Sequence, residues 1–146
     1  MKTIVYRSVV LAAAAVLFAV AGIAWCVAPE DSEEVMQRGW ARARAGHFET
    51  AAGDFSTVLR RNPRSAEAWL LRGCCRASAG DRQAAIEDFN ESLWLNPGNA
   101  SAWYDRGLAY QELGEPEKAA RDFAEAMRLN PENKSATAAL ACVSMK

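Results

Sequence analysis

The chain repeats itself every 34 residues, three times in succession and without insertion or deletion. Asn62-Pro63, Asn96-Pro97 and Asn130-Pro131 close the three units. Gly39, Gly73 and Gly107 keep the same spacing, as do Gly46, Gly80 and Gly114, and Phe55, Phe89 and Phe123. A fixed period of this length marks a stacked-repeat architecture, in which each unit covers an apolar face of its neighbour. Such stacks are surfaces before they are catalysts, so the functional question becomes where a partner would sit.

With units counted as 32–65, 66–99 and 100–133, each reads as two helices. The first starts after Asp31, Ser65 or Asn99, whose short side-chain oxygens suit an N-cap. Glu34, three residues after Asp31, has the spacing of a capping-box acid. The first helix is expected to stop at the glycine at position 15 of each unit, a residue that tolerates left-handed backbone. The second runs from about position 17 to the Asn-Pro pair, because proline disfavours helical geometry in the residue before it. Glycine at position 8 and alanine at position 20 (Ala51, Ala85, Ala119) allow close approach of the two helices. Large residues at positions 4 and 24 are expected to fill the space between pairs. Residues 134–146 continue the phase, with Asn133 as cap and Ala136, Ala139, Leu140 and Val143 on one stripe, and read as a capping helix.

The third unit carries Trp103-x-x-Arg106-Gly107-x-x-Tyr110, then Ala119-x-x-x-Phe123, then Pro131. The second carries Trp69-x-x-Arg72-Gly73, Ala85-x-x-x-Phe89 and Pro97, and the first keeps Gly39, Ala51, Phe55 and Pro63 with Val35 at the tryptophan position. This pattern resembles the tetratricopeptide repeat. Arg42 and Arg76 stand where that family has tyrosine, and arginine replaces the usual leucine before each position-8 glycine. The resemblance implies an all-α solenoid of three helix-turn-helix hairpins and a protein-binding role.

Arg38, Arg72 and Arg106 recur at position 7, and Asp54, Asp88 and Asp122 at position 23. The two positions lie on opposite helices of one hairpin, which predicts an Arg–Asp bridge in every unit. The alternative is an arginine row that reads an acidic ligand.

The N-terminal segment, residues 1–28, is of another kind. Lys2 and Arg7 precede the uncharged stretch Ser8–Ala28, and a short acidic linker, 29–31, follows. An apolar stretch of this length fits a membrane-spanning helix. A basic start with Ala19-Val20-Ala21 or Cys26-Val27-Ala28 also fits a cleaved secretory signal. In both readings the charge asymmetry places the repeats outside the cytoplasm, tethered to the membrane or released into a periplasmic or extracellular space.

Setting aside Lys2 and Arg7, residues 29–146 hold 15 Lys+Arg against 18 Asp+Glu, a net charge of −3 that gives no footing for nucleic acid. The charge is uneven: the first unit has six arginines against four acids, the third four bases against seven acids, an asymmetry that could orient a partner along the stack. The four cysteines form no CxxC pair, and the single histidine, His47, lies in a turn. Neither a metal site nor a cofactor is expected. Without a base-paired nucleophile or a phosphate loop the chain does not read as an enzyme. Cys74, Cys75 and Cys142 read as small packing residues, with an exposed redox thiol as the alternative.

In the family that the chain resembles, the concave wall is formed by first-helix positions that include 5 and 9. Here position 5 gives Met36, Leu70 and Tyr104, and position 9 gives Trp40, Cys74 and Leu108. These six residues form the expected groove, four apart on one helical face, and fit a protein or peptide segment with apolar anchors. Some family members grip a terminal carboxylate with Lys, Asn and Arg at such positions; Met36 and Trp40 exclude that grip. Two alternatives stand beside the groove: the strip packs against the chain's own Trp25 region or capping helix, or it joins copies in a self-associating subunit. Trp94, where the other units have Arg60 and Arg128, marks a possible second contact.

Overall fold

The three Asn-Pro boundaries and the three turn glycines cut the chain into helices at the expected places. The computed structural model describes residues 31–144, and within the chain Ser32–Lys146 forms a compact unit of its own. Seven helices follow in order: α1 (Ser32–Arg44), α2 (Phe48–Arg61), α3 (Ala66–Ser78), α4 (Arg82–Leu95), α5 (Ala100–Glu112), α6 (Pro116–Leu129) and α7 (Lys134–Ser144). No strand occurs among the described residues. Each helix packs on the next, and α3 also touches α5, so the first helices of the second and third hairpins meet directly. The apolar N-terminal segment read as an anchor or signal lies outside the described residues. Among those described, no helix is long and apolar enough to cross a membrane.

The helix ends follow from local chemistry. Ser65 accepts a hydrogen bond from the Ala68 N–H, and Asn99 accepts from Ser101 and Ala102. Asn133 does the same for Ser135 and Ala136 at the start of α7. At the end of α3 the Gly80 N–H donates to the Ala77 carbonyl (3.0 Å) and the Asp81 N–H to Arg76 (2.9 Å). This paired closure is a Schellman motif. It requires Gly80 at φ +95°, and Gly46 and Gly114 repeat it at +82° and +76°.

Inside each hairpin the largest fully buried side chain is the position-24 phenylalanine: Phe55, Phe89 and Phe123 are at most 1% exposed. The expectation that these rings fill space between pairs holds for Phe55, which clusters with Leu71 and Cys75 of the second hairpin, and for Phe89, which clusters with Ala109 of the third. Each ring also lies over the position-8 glycine of its own hairpin. A Cβ placed on Gly73 would come within 2.7 Å of the Phe89 ring. The glycine therefore vacates the volume that the ring occupies. The position-4 residue also joins neighbouring hairpins. The Trp69 indole N–H donates to the Pro63 carbonyl at 2.8 Å, and Trp103 to Pro97 at 2.9 Å, tying each hairpin to the turn before it. Val35, in the first unit, is instead fully buried beside Val58, Leu59 and Ala68.

The Arg–Asp ladder is present in all three hairpins. Arg72 grips Asp88 with Nε and Nη2 at 2.9 and 2.7 Å, and Arg106 grips Asp122 at 2.7 and 2.8 Å. Arg38 places both donors on one oxygen of Asp54, at 3.0 and 2.8 Å, and Arg42 takes the other at 2.7 Å. The three aspartates are buried. This pairing decides against a free arginine row: the guanidinium forks are committed to carboxylates inside the fold. The arginines that replace tyrosine, Arg42 and Arg76, supply each of the first two aspartates with a second partner.

Candidate functional site: two pockets one repeat apart

The packing of α1, α3 and α5 leaves two neighbouring depressions that occupy equivalent places in successive repeats. The first, about 200 Å³, is lined by Trp40, Ala43, Phe48 and Phe55 of the first hairpin and Leu71, Cys74, Cys75 and Ser78 of the second. The second, about 250 Å³, is lined by Cys74, Ala77, Ser78 and Phe89 of the second hairpin and Asp105, Leu108, Ala109 and Glu112 of the third. Cys74 and Ser78 are common to both, so the pockets form one two-part groove.

Their chemistry differs because three equivalent positions change from uncharged to charged. At position 6, Leu71 faces the first pocket and Asp105 the second. At position 13, Ser78 is matched by Glu112. At position 17, Phe48 forms part of the first wall, whereas its counterpart Arg82 ion-pairs with Glu112. The first pocket is therefore apolar and the second acidic. Trp40 stays 43% exposed at the rim of the first, although a tryptophan is costly to leave in water.

Burial pushes the Asp105 carboxyl above its ordinary value of 3.8; the hydrogen bond from the Cys74 thiol, 3.5 Å away, acts in the opposite direction. The Cys74 thiol is itself pushed far up, first by burial and then by the Asp105 charge. Burial also raises Cys75. Both thiols are thus held protonated at neutral pH and are poor nucleophiles. Cys74, Cys75 and Cys142 are free, and only Cys142 is exposed. Among the described residues no cluster of potential ligands could hold a metal ion.

The six residues expected in the groove separate into two sets. Trp40, Cys74 and Leu108, at position 9, line the pockets. Met36, Leu70 and Tyr104, at position 5, are half-buried against the hairpin cores: Met36 beside Val35 and Phe55, Leu70 beside Phe89, and Tyr104 with its ring 5.7 Å from that of Phe123. Sequence reasoning missed Asp105, Leu71 and Phe48. Their signal is a chemical change at otherwise equivalent positions, which the period itself makes visible. Trp94 is 74% exposed on α4, and His47 is exposed in its turn.

The hairpin stack, with its two pockets one repeat apart, defines a helical-repeat protein. Two tetratricopeptide repeat family models match the chain, one over residues 36–100 and the other over residues 90–143. The chain belongs to the tetratricopeptide repeat proteins. Among solved structures it is similar to the Arabidopsis OM64 TPR domain, with TM-score 0.77 and 25% identity, covering 80% of this chain and 96% of that one. It is also similar to the first TPR of Spaghetti (RPAP3) bound to the HSP90 peptide SRMEEVD, with TM-score 0.77 and 22% identity over 82% of this chain and 94% of that one. A third similar structure is the Yersinia enterocolitica type III secretion chaperone SycD in complex with a peptide of the translocator YopD, with TM-score 0.73 and 15% identity over 77% and 92%. No curated protein matches the chain by sequence.

Proposed function

We propose that the chain is a non-catalytic interaction module that docks a segment of another protein in the groove across α1, α3 and α5. The observation that carries this reading is the exposed Trp40 at the mouth of an apolar pocket. A side chain of leucine or phenylalanine size entering that pocket would cover the indole and leave water, a gain of about 1.5–3 kcal/mol. The reading is supported by similar folds that hold peptides: the first TPR of Spaghetti is bound to an HSP90 peptide and SycD to a translocator peptide.

The module works outside the cytoplasm, held by or released from its N-terminal segment. Lys2 and Arg7 before the apolar stretch and acids after it support this placement. A reporter active only after export, fused behind Lys146, should be active; activity of a cytoplasmic reporter alone would overturn the placement.

The groove is tested with a photo-crosslinking side chain placed in the full chain at Ser78, on the wall common to both pockets, or at exposed Glu87 on α4. Adducts with another protein should form from position 78, be lost on adding Trp40→Ala, and be absent from position 87. Adducts of chain with chain, growing with concentration, would identify the strip as an oligomer interface instead.

A further inference from the structure

The two pockets share a wall and a repeat position but not a chemistry, and this difference narrows the partner. Leu71, Phe48 and Trp40 make the first pocket a receptor for an apolar side chain. Asp105 and Glu112 make the second a receptor for a cation. Glu112 already pairs with Arg82. Asp105 has the Cys74 thiol as a hydrogen-bond donor at 3.5 Å, a weak partner for a carboxylate.

We infer that the groove selects segments carrying a large apolar side chain and, within a few residues of it, a lysine or arginine that enters the second pocket and pairs with Asp105. This rests on the groove being the docking site and adds the charge of its ligand.

Geometry sets the spacing. Neighbouring first helices in a stack lie roughly 10 Å apart, and an extended chain covers about 3.3 Å per residue. The two anchors therefore stand about two to four residues apart. Polarity follows as well: the basic anchor points toward the third hairpin, which has seven acids against four bases, and away from the first, with six arginines against four acids. The acidic peptide SRMEEVD held by the first TPR of Spaghetti has the opposite charge. It would place carboxylates against Asp105 and Glu112, and like charges in a partly desolvated site repel strongly. A carboxyl disfavoured by burial in the free protein also fits this reading. A ligand cation supplies the partner that the fold withholds, so that charge is recognised on binding and not spent on folding.

The test is selection of a random-sequence peptide library on the immobilised full chain, followed by affinities of the enriched peptides. Enriched sequences should combine an aromatic or large aliphatic residue with Lys or Arg at the stated spacing. Asp105→Asn should weaken them by at least about tenfold, and Asp105→Lys should shift the enriched charge from basic to acidic. Circular dichroism checks that each variant folds, and Asp105→Asn, which keeps the size of the side chain, covers the case in which the lysine variant does not. Apolar peptides without charge preference that still depend on Trp40 would overturn the charge inference and leave the groove in place. Enriched peptides that bind equally to the wild type, Trp40→Ala and Asp105→Asn would overturn the groove as well. Enrichment of peptides matching residues 1–30 would replace the external partner with the chain's own N-terminus.

Discussion

Arg72 holds Asp88 in a two-pronged grip while its remaining nitrogen, Nη1, reaches back 3.1 Å to the Ser56 hydroxyl of the preceding hairpin. Arg106 repeats the arrangement, with Asp122 in the fork and Asn90 of the preceding hairpin at 2.6 Å. One guanidinium thus closes its own hairpin and joins it to the one before. The arginine also lies over the position-4 tryptophan, 4.6 Å from the Trp69 ring and 4.7 Å from the Trp103 ring. Stacking and bidentate pairing are properties that lysine cannot reproduce.

The ladder predicts an uneven response to the same substitution. Removing one partner of a buried ion pair typically costs about 3–5 kcal/mol, because the other charge is left without compensation. In the third hairpin Tyr110 occupies the position of the second arginine, so Arg106→Leu should approach that cost. Asp88 retains Arg76 at 2.9 Å, so Arg72→Leu should cost roughly half as much. Arg38 is more exposed, at 38% against 14% for Arg72, and Asp54 retains Arg42, so Arg38→Leu should cost least. Denaturant titrations of the three variants give the order; three equal losses would show that the arginines act only through general packing.

Gly73 is required for volume. Its added methyl in Gly73→Ala would stand 2.7 Å from the Phe89 ring, which is buried, so the ring or the helix must shift to admit it. Overpacking of this kind costs about 1–3 kcal/mol. Combining Gly73→Ala with Phe89→Leu should cost less than the two single changes added together. Strict additivity in a double-mutant cycle would contradict the contact.

The last helix should act as a lid on the stack. Ala136 on α7 is fully buried, and α7 packs along α6. Deleting residues 134–146 would uncover on the order of 150 Å² of apolar surface, worth about 4 kcal/mol. That is a large share of a typical domain's stability of about 5–15 kcal/mol. The truncated chain should melt much lower and aggregate. An unchanged melting temperature with a monodisperse product would free the tail to be a partner-binding segment.

Asp105 links the groove to pH. Its folded carboxyl, raised above 3.8 by burial, holds its proton where the unfolded one has lost it. The folded state then binds more protons, so stability falls as pH rises from the unfolded value through the raised folded value. Asparagine carries no such charge. Asp105→Asn should therefore be more stable than the wild type at neutral pH, and the advantage should shrink as the pH falls below that window. A difference that stays constant across the acid range, in parallel denaturant titrations, would show that the carboxyl is not the cause.

Much of this architecture is legible in the chain itself. The period, the turn glycines and the Asn-Pro pairs determine seven helices, because capping and backbone geometry act over a few residues and leave local marks. The Arg–Asp ladder is readable for a related reason: recurrence at one separation, 16 residues, turns a tertiary contact into a sequence pattern. The packing of the position-24 rings against glycine, the retreat of Met36, Leu70 and Tyr104 toward the hairpin cores, and the joining of Trp40 with Leu71 or Cys74 with Asp105 required the tertiary structure. Those contacts depend on how far one helix is rotated and shifted against the next. A small rotation decides whether position 5 or position 9 faces the open groove, since both share one helical face and the sequence alone carries no measure of that angle.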